Sequence, residues 1–140
     1  MSSDFGHVDD EHPAALCIDG QTSTFCHAAV DDTNPWLSVQ INGTGLVSYV
    51  VLHNRKDCCQ DRLSPLQLWV GASVGDYNSA TSASCGVDEV TLHAQPTNGP
   101  FSYRCADSSG QPLSGSYVTL VLPGANRTLN LAEIQVYASP

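Results

Sequence analysis

Trp36-Leu-Ser-Val-Gln-Ile41 alternates apolar and polar side chains and is followed at once by a turn signal, Asn42-Gly43. Alternation with a period of two is typical of a half-buried β-strand, because successive side chains point to opposite faces. Similar apolar runs recur: Leu46 to Leu52, Leu66 to Val70, Tyr117 to Leu122 and Leu129 to Tyr137. No long segment has the period of a helix, so the pattern predicts an all-β domain, either a sandwich or a barrel.

Between these runs the composition predicts loops and a single core. Residues 72–86 and 93–116 are rich in Ser, Gly, Asp and Pro, which is typical of loops. The chain has 140 residues, 41% of them hydrophobic, which suits one domain over residues 1–140. Trp36 and Trp69 lie within strand runs and are predicted to be core residues. Residues 1–3, Met-Ser-Ser, lead into polar sequence without a signal peptide, as in a mature or excised domain with an added start Met.

The charge balance excludes two classes of partner. The formal net charge is -9, with only five Lys or Arg residues. Nucleic acids and anionic membranes require a basic face that this chain does not offer, and no apolar stretch is long enough to insert into a bilayer. Three of the five cations lie in one segment, Asn54-Arg-Lys-Asp-Cys-Cys-Gln-Asp-Arg62. We therefore predict that this segment holds a neutral or locally anionic ligand.

Six cysteines indicate disulfides and an oxidising compartment. They are Cys17, Cys26, Cys58, Cys59, Cys85 and Cys105. Their spacing does not match that of a zinc site, and two glycosylation sequons, Asn42-Gly-Thr44 and Asn126-Arg-Thr128, agree with a secreted or extracellular protein. Six cysteines allow 15 pairings. Locality favours Cys17–Cys26 and Cys85–Cys105, which leaves Cys58 bonded to Cys59.

Four segments, taken in order, resemble the landmarks of a known family. They are Ala15-Leu-Cys-Ile-Asp-Gly20, Asn34-Pro-Trp-Leu-Ser-Val-Gln-Ile41, His53 to Leu63 and Leu131-Ala-Glu-Ile-Gln-Val-Tyr137. Together they resemble the F-type lectins, or fucolectins, within the discoidin-like (coagulation factor C-domain) superfamily. The most specific part is Arg55-x-Asp57-x4-Arg62 around the Cys-Cys pair. The resemblance covers nearly the whole chain and implies an antiparallel jelly-roll β-sandwich with binding loops at one end.

For the basic residues, the resemblance implies a carbohydrate-binding site specific for L-fucose. Arg55 and Arg62 would hydrogen-bond the ring oxygen and hydroxyls of the sugar, and Asp57 would hold the arginines in place. His27 corresponds to the motif His, although His27 and Arg55 enclose 27 residues, one more than is usual. Arginine suits this role because its rigid fork of donors spans a pair of hydroxyls.

The apolar part of the implied site is a disulfide and an aromatic ring. Cys58–Cys59 would pack on an apolar edge of the sugar, since a disulfide is a flat and polarizable surface. Phe25 would line a pocket for the fucose methyl group or, alternatively, anchor its loop. Such sites are shallow and bind one sugar weakly, so oligomers or tandem domains would supply avidity.

The resemblance also implies a structural Ca²⁺ at the first loop. Asp19 and Glu133 match the family's carboxylate ligands, and Thr24 replaces a Ser. Leu16, Gln21 and Ala132 complete the candidate set, the first two through carbonyl oxygens. Hard oxygen ligands from distant parts of the chain suit this ion. The alternative is that Asp19 caps a turn and Glu133 faces solvent on a strand.

One departure from the family concerns its usual disulfide. Members pair the Cys of the His loop with a Cys just before the last-strand Glu, where this chain has Ala132. Cys26 is therefore available to Cys17, and the covalent tie between the first loop and the last strand is lost.

The function implied is a non-catalytic lectin for fucosylated glycans or glycoproteins. No motif of a catalytic site is present in the sequence. The alternative is a discoidin-like adhesion domain that binds protein or another glycan through its loops. A third interpretation of the Cys-Cys segment is a surface turn with solvated charges and cysteines paired elsewhere.

Overall fold

The computed structural model describes residues 1–2, 11–43 and 45–138, so Ser3 and Thr44 lie outside the described residues. In these ranges the regular structure consists of β-strands and two short 3-10 helices, Ala14–Ile18 and Gln60–Leu63. The strands are β1 Cys26–His27, β2 Trp36–Gln40, β3 Leu46–Val47, β4 Tyr49–His53, β5 Gln67–Gly71, β6 Ala83–Ser84, β7 Phe101–Arg104, β8 Leu113–Ser114, β9 Tyr117–Val121, β10 Asn130–Leu131 and β11 Glu133–Tyr137. None of these helices is long and apolar enough to cross a membrane.

Two antiparallel sheets form the body of the domain. The larger sheet has the strand order β2-β9-β5-β6 and the smaller has the order β11-β4-β7, while β1 pairs with β10 and β3 pairs with β8. Leu37, Leu120 and Leu68 are register partners across the larger sheet. Ile134, Leu52 and Phe101 are register partners across the smaller one. All six of these side chains belong to one core cluster or pack against it, which confirms the predicted all-β antiparallel sandwich.

The outer face of the larger sheet is also covered. Thr119 is fully buried and Trp69 is 8% exposed. Both side chains lie on the outer face, because the residues before and after each of them point into the core between the sheets. The loop after β5 lies on this face, where the Gly75 amide donates to Ser38 Oγ at 2.8 Å. A Cβ on Gly75 would lie 2.8 Å from the Trp36 ring. The two tryptophans therefore pack outside the space between the sheets, and Trp36 is only partly buried.

The structure corrects the predicted boundaries of several strands. Both segments predicted as loops contain short strands: β6 lies within 72–86, and β7 and β8 lie within 93–116. The run from Leu46 to Leu52 divides at Ser48, whose amide donates to Tyr137 and whose carbonyl accepts from Cys105. At this residue the chain leaves the β3–β8 pair and joins the smaller sheet. The last run divides in the same way between β10 and β11.

The fold brings several loops to one end of the sandwich. β4 ends at His53 opposite Glu133, the first residue of β11. The first 3-10 helix ends at Asp19, and the loop that follows it leads to β1, which pairs with β10 immediately before β11. The Arg55–Arg62 turn, the loop of residues 19–25 and the start of β11 are consequently neighbours.

Candidate functional site

The turn after β4 is closed by the side chain of a buried asparagine. Asn54 is 1% exposed, and its Nδ2 donates to the carbonyls of Gln60 at 2.9 Å and Thr97 at 3.2 Å. Its Oδ1 accepts from the Arg55 amide, and Gln60 Nε2 donates back to the Arg55 carbonyl at 3.0 Å. Hydrogen bonds to its amide and its carbonyl thus fix the backbone of Arg55, independently of the contacts of its side chain.

Arg55 is held in one orientation by two neighbours. Its Nε and Nη2 donate to Asp57 at 3.0 and 2.7 Å, and its guanidinium carbon lies 3.8 Å from the centre of the Phe25 ring. The hydrogen bonds from Arg55 lower the pKa of Asp57 to about 2. Arg55 is only 8% exposed. Such bidentate and cation–π contacts fix the plane of the guanidinium.

The resemblance implied that Asp57 would hold both arginines, but in the described part of the chain its side chain pairs with Arg55. Arg62 lies in the second 3-10 helix, and its Nη1 is 3.5 Å from His27 Nε2. Arg55 and Asp57 form the one ion pair among the described residues, so Asp61 does not pair with either arginine there. The two arginines are therefore oriented by different partners.

His27 is buried and presents one ring nitrogen toward Arg62. Its exposed fraction is 4%, and its Nδ1 donates to the Ala28 carbonyl, because a carbonyl oxygen can only accept. In the neutral ring this leaves Nε2 as an acceptor. Burial lowers the pKa of His27, and the charges of Arg55 and Arg62 lower it further. At neutral pH the ring is accordingly uncharged.

The structure contains the three disulfides that locality favours. Cys17–Cys26 and Cys85–Cys105 are buried. Cys58–Cys59 closes on adjacent residues, with Cys58 exposed and Cys59 in the left-handed region at φ 65°. The Cys59 carbonyl accepts from the Arg62 amide at 3.1 Å. The exposed disulfide therefore lies between the two arginines on the same turn.

Phe25 separates two shallow clefts. Its ring stacks on His12, with centroids 4.1 Å apart, and also contacts the Arg55 guanidinium. One cleft adjoins Arg55 and the loop residues 22–24. The other adjoins Glu11, His12 and Leu16. Phe25 thus anchors its loop on Arg55 and also lines both clefts, so the two predicted roles are compatible.

The candidate calcium ligands of the first loop meet the last strand. Thr24 Oγ1 donates to Asp19 Oδ2 at 2.6 Å, and the Gln21 amide donates to Asp19 Oδ1 at 2.9 Å. The Gly20 amide donates to Glu133 Oε1 at 3.2 Å. Asp19 therefore caps its turn, as the alternative expected, but Glu133 is 4% exposed and does not face solvent.

Glu133 is a buried carboxyl group with an unused oxygen. Its Oε2 has no hydrogen-bond partner in the described part of the chain. Burial raises the pKa of Glu133, and the carboxylate of Asp19 raises it further. The described residues contain no cluster of three or more His, Cys, Asp or Glu, since only two of the candidate ligands are carboxylates. Hard oxygen donors around a buried, unpartnered carboxylate oxygen fit Ca²⁺.

Two other candidate ligands are placed less directly. Leu16 lies in the first 3-10 helix and lines the cleft beside Phe25. Ala132 is buried, and its amide donates to the His53 carbonyl at 2.9 Å. Both residues belong to segments that adjoin Asp19 or Glu133.

Sequence reasoning missed several residues that support the site. Arg127 donates to the carbonyls of Arg62, Pro65 and Pro123, which fixes the end of the second 3-10 helix. Asn130 is the register partner of His27 and is 1% exposed, with both side-chain polar atoms unpartnered in the described part of the chain. Arg127 had a signal, as one of only five cations. His12 and Asn130 had none, because their role comes from packing.

Comparisons with known proteins identify the class of this domain. Residues 16–120 match the F5/F8 type C family described as a NedA-like, galactose-binding domain. The chain is 31% identical over 128 residues to Fucolectin-1 of Anguilla japonica, covering 88% of this chain and 66% of that protein. It is 30% identical over 138 residues to Fucolectin-6 of the same organism, covering 95% and 67%. The chain thus spans about two thirds of the length of these curated relatives.

A solved structure agrees with this result. An F-lectin (fucolectin) from the serum of Morone saxatilis, the striped bass, superposes with a TM-score of 0.79 and 26% identity. The match covers 98% of this chain and 45% of that chain. This chain belongs to the fucolectins of the F5/F8 type C, discoidin-like family. These relatives are lectins by name, in agreement with the expectation of a carbohydrate-binding domain and not an enzyme.

Proposed function

We propose that this domain binds L-fucose at the ends of glycans, at the surface formed by Arg55, Arg62, His27 and the Cys58–Cys59 disulfide. The observation that carries the proposal is the approach of Arg62 Nη1 to His27 Nε2, 3.5 Å apart, beside an Arg55 already fixed by Asp57. Three polar groups with fixed directions suit a pyranose, whose hydroxyls also have fixed directions.

Arg55 has donors left for a ligand. A guanidinium carries five N–H groups, and Asp57 accepts two of them, one from Nε and one from Nη2. Three N–H groups then remain for the ring oxygen and a neighbouring hydroxyl. Because Asp57 and Phe25 fix the plane of the group, little rotational freedom is lost when the sugar binds.

His27 and Arg62 form the second polar wall of the proposed site. Neutral His27 offers an acceptor at Nε2, whereas Arg62 offers only donors. A sugar hydroxyl both donates and accepts, so one hydroxyl can bridge these two groups. The Cys58–Cys59 disulfide then contacts the apolar C–H edge of the ring, and the Phe25 side of Arg55 accepts the methyl group.

Calcium is the proposed structural cofactor. Asp19, Thr24 and Glu133 would contribute side-chain oxygens, and Leu16, Gln21 and Ala132 would contribute carbonyl oxygens. The ion would neutralise the two carboxylates and hold the loop that carries Phe25 and His27. The unpartnered Glu133 Oε2 supports this proposal.

The proposed setting is secreted or extracellular, with fucosylated glycans or glycoproteins as partners. A single shallow site gives weak binding, so we propose that oligomers or tandem domains supply avidity. The relatives extend beyond the matched region, which leaves room for such an arrangement in them.

A glycan array with free L-fucose as competitor tests the proposed specificity. We expect fucosylated glycans to be retained and L-fucose to displace them, while D-fucose, the mirror image, does not. L-galactose adds a hydroxyl to the methyl group and should compete more weakly than L-fucose. Retention that ignores L-fucose would refute the specificity and favour a discoidin-like adhesion role.

Matched variants connect the binding to these residues. Arg55→Ala and Arg62→Ala should each abolish measurable binding of L-fucose. Arg104→Ala removes the same charge from an exposed residue that pairs with Tyr49, at the other end of β4 from the site, and should bind normally. Binding that survives the combined loss of Arg55 and Arg62 would exclude this surface.

A further inference from the structure

Lys56 is the basic residue of the turn that the proposed fucose site does not use. Its Nζ donates to Thr22 Oγ1 at 2.9 Å, so it links the turn to the loop of residues 19–25. The side chain is exposed. No carboxylate within residues 1–2, 11–43 and 45–138 forms an ion pair with it. Its charge is therefore available to a ligand.

Lys56 and Arg55 line one wall of the cleft beside Phe25, and loop residues line the other. Thr22 and Ser23 contribute hydroxyl groups to that second wall. An ammonium has three donors, and Thr22 accepts one of them. The cleft thus offers two further N–H donors, two hydroxyls and a positive charge, a set that suits an oxyanion.

The carboxylate in this cleft does not cancel the charge of Lys56. Asp57 accepts two hydrogen bonds from Arg55 and is paired with it. The turn as a whole carries three cations, Arg55, Lys56 and Arg62, against the two carboxylates of Asp57 and Asp61, in a chain of formal net charge -9. The neighbouring cleft, on the His12 side of Phe25, contains Glu11 instead. An anion is consequently favoured on the Lys56 side only.

We infer that Lys56 forms a subsite for an anionic substituent on a sugar next to the bound fucose, so that the domain prefers fucosylated glycans that are sulfated or sialylated. The inference rests on the proposed fucose site, because the substituent reaches Lys56 while Arg55 and Arg62 hold the fucose of the same glycan. A sulfate ester and a sialic acid carboxylate present the same chemistry, an exposed oxyanion. Lysine suits either, as a point charge on a flexible stem that does not require one geometry.

Calorimetric titration with a panel of fucosylated trisaccharides tests this subsite, each in a neutral, a sulfated and a sialylated form. At an ionic strength of about 0.02 M we expect the wild-type domain to bind an anionic form about threefold more tightly than its neutral parent. The difference should shrink at about 0.2 M, because salt screens exposed charges. Tighter binding of the sulfated form would identify the oxyanion as a sulfate ester, and tighter binding of the sialylated form would identify it as a sialic acid carboxylate.

Lys56→Gln should bind the neutral and anionic forms equally and retain wild-type affinity for free L-fucose. Lys56→Arg should retain the preference. Arg104→Gln makes the same change in net charge far from the cleft and should also retain it, which separates a local contact from overall charge.

Two results would overturn the inference while leaving the fucose site intact. One is wild-type protein that binds L-fucose but does not distinguish neutral from anionic glycans. The other is a preference that persists in Lys56→Gln. A domain that fails to bind free L-fucose at all would instead refute the proposed function, and with it the subsite.

Discussion

Asp57→Asn tests how much the affinity for L-fucose depends on the orientation of Arg55, because Asp57 fixes that orientation and Arg55 itself is retained. The change keeps the size of the side chain but removes its charge and one of its two acceptor oxygens. Arg55 Nε and Nη2 now donate to different oxygens of Asp57, and an amide can accept only one of these bonds. The guanidinium would keep its contact with Phe25 but could rotate over the ring.

The expected loss of stability follows from the pKa of Asp57, which Arg55 lowers from 3.8 to about 2. In a shielded pair that difference would correspond to roughly 2.4 kcal/mol. The Asp57 side chain is 60% exposed, and solvent screens such pairs, so we expect about 0.5–1 kcal/mol. Because the pKa is lowered on folding, this contribution is complete above pH 3.8 and is lost as the pH falls toward 2.

Two measurements test the prediction. The melting temperature of Asp57→Asn should fall by about 2–4 °C, and its affinity for L-fucose by about 3- to 10-fold, since a bidentate pair supplies geometry as well as energy. Asp61→Asn is the matched control, because it makes the same change four residues away at a carboxylate that forms no ion pair with the described residues. Equal effects of the two substitutions, or unchanged fucose affinity in Asp57→Asn, would refute the reasoning.

Three further changes have defined outcomes. Chelation by EDTA should lower the melting temperature by several degrees, because an ion that binds only the folded state stabilises it; Glu133→Gln should remove this sensitivity, and an unchanged wild-type melt would contradict the calcium site. Fucose affinity should be constant at neutral pH and weaken as the pH falls below 6.5, since the pKa of His27 is lowered from that value and its protonation removes the Nε2 acceptor beside two arginines; affinity that rises on acidification would contradict the role of His27. A mild reductant should open Cys58–Cys59 first, because the other cysteines are buried; alkylation at these two residues should accompany weaker binding with little change in the melt, since a loop between adjacent residues barely constrains the unfolded chain.

The sandwich could be predicted from the alternating runs, but its strand boundaries could not. The two longest runs, Leu46 to Leu52 and Leu129 to Tyr137, each contained a residue at which the chain changes partner, such as Ser48. A hydrophobic pattern records burial and not the identity of the partner strand. β7 was hidden because it has only four residues and follows Gly99-Pro100 in a segment with the composition of a loop. The burial of Trp69 was predicted correctly, but its face was not, because the covering loop is itself Ser- and Gly-rich.

At the candidate site, residues within one short motif could be predicted and those brought together by packing could not. The pairing of Arg55 with Asp57 is local and follows from a spacing of two residues. The stack of His12, Phe25 and Arg55 joins distant segments, and the sequence contains no pattern that marks it. Whether Asp57 pairs with Arg55 or with Arg62 also depends on the backbone geometry of the turn that Asn54 closes, and the sequence does not specify that geometry.

One loop supplies contacts to the proposed sugar, calcium and anion sites, and this predicts that they are coupled. Its base is held by Cys17–Cys26 and by the pairing of Cys26 with Leu131, in place of the disulfide to the last strand that the family's pattern implied. In the same loop the Gly20 amide donates to Glu133. Phe25 contacts Arg55 and Thr22 accepts from Lys56, so the loop also contacts the turn that carries the arginines. The contacts to the last strand and to the turn are noncovalent, so calcium that orders this loop should also favour the position of Phe25.

Coupling of two binding equilibria is reciprocal. If calcium strengthens the binding of L-fucose by some factor, saturating L-fucose must strengthen the binding of calcium by the same factor. Calcium titrations with and without the sugar measure this directly, and Thr22→Ala, which removes the bond to Lys56, should reduce the factor. Equal calcium affinities in the two titrations would mean that the loop is already fixed by its disulfide and its strand pairing, and that calcium contributes to stability alone.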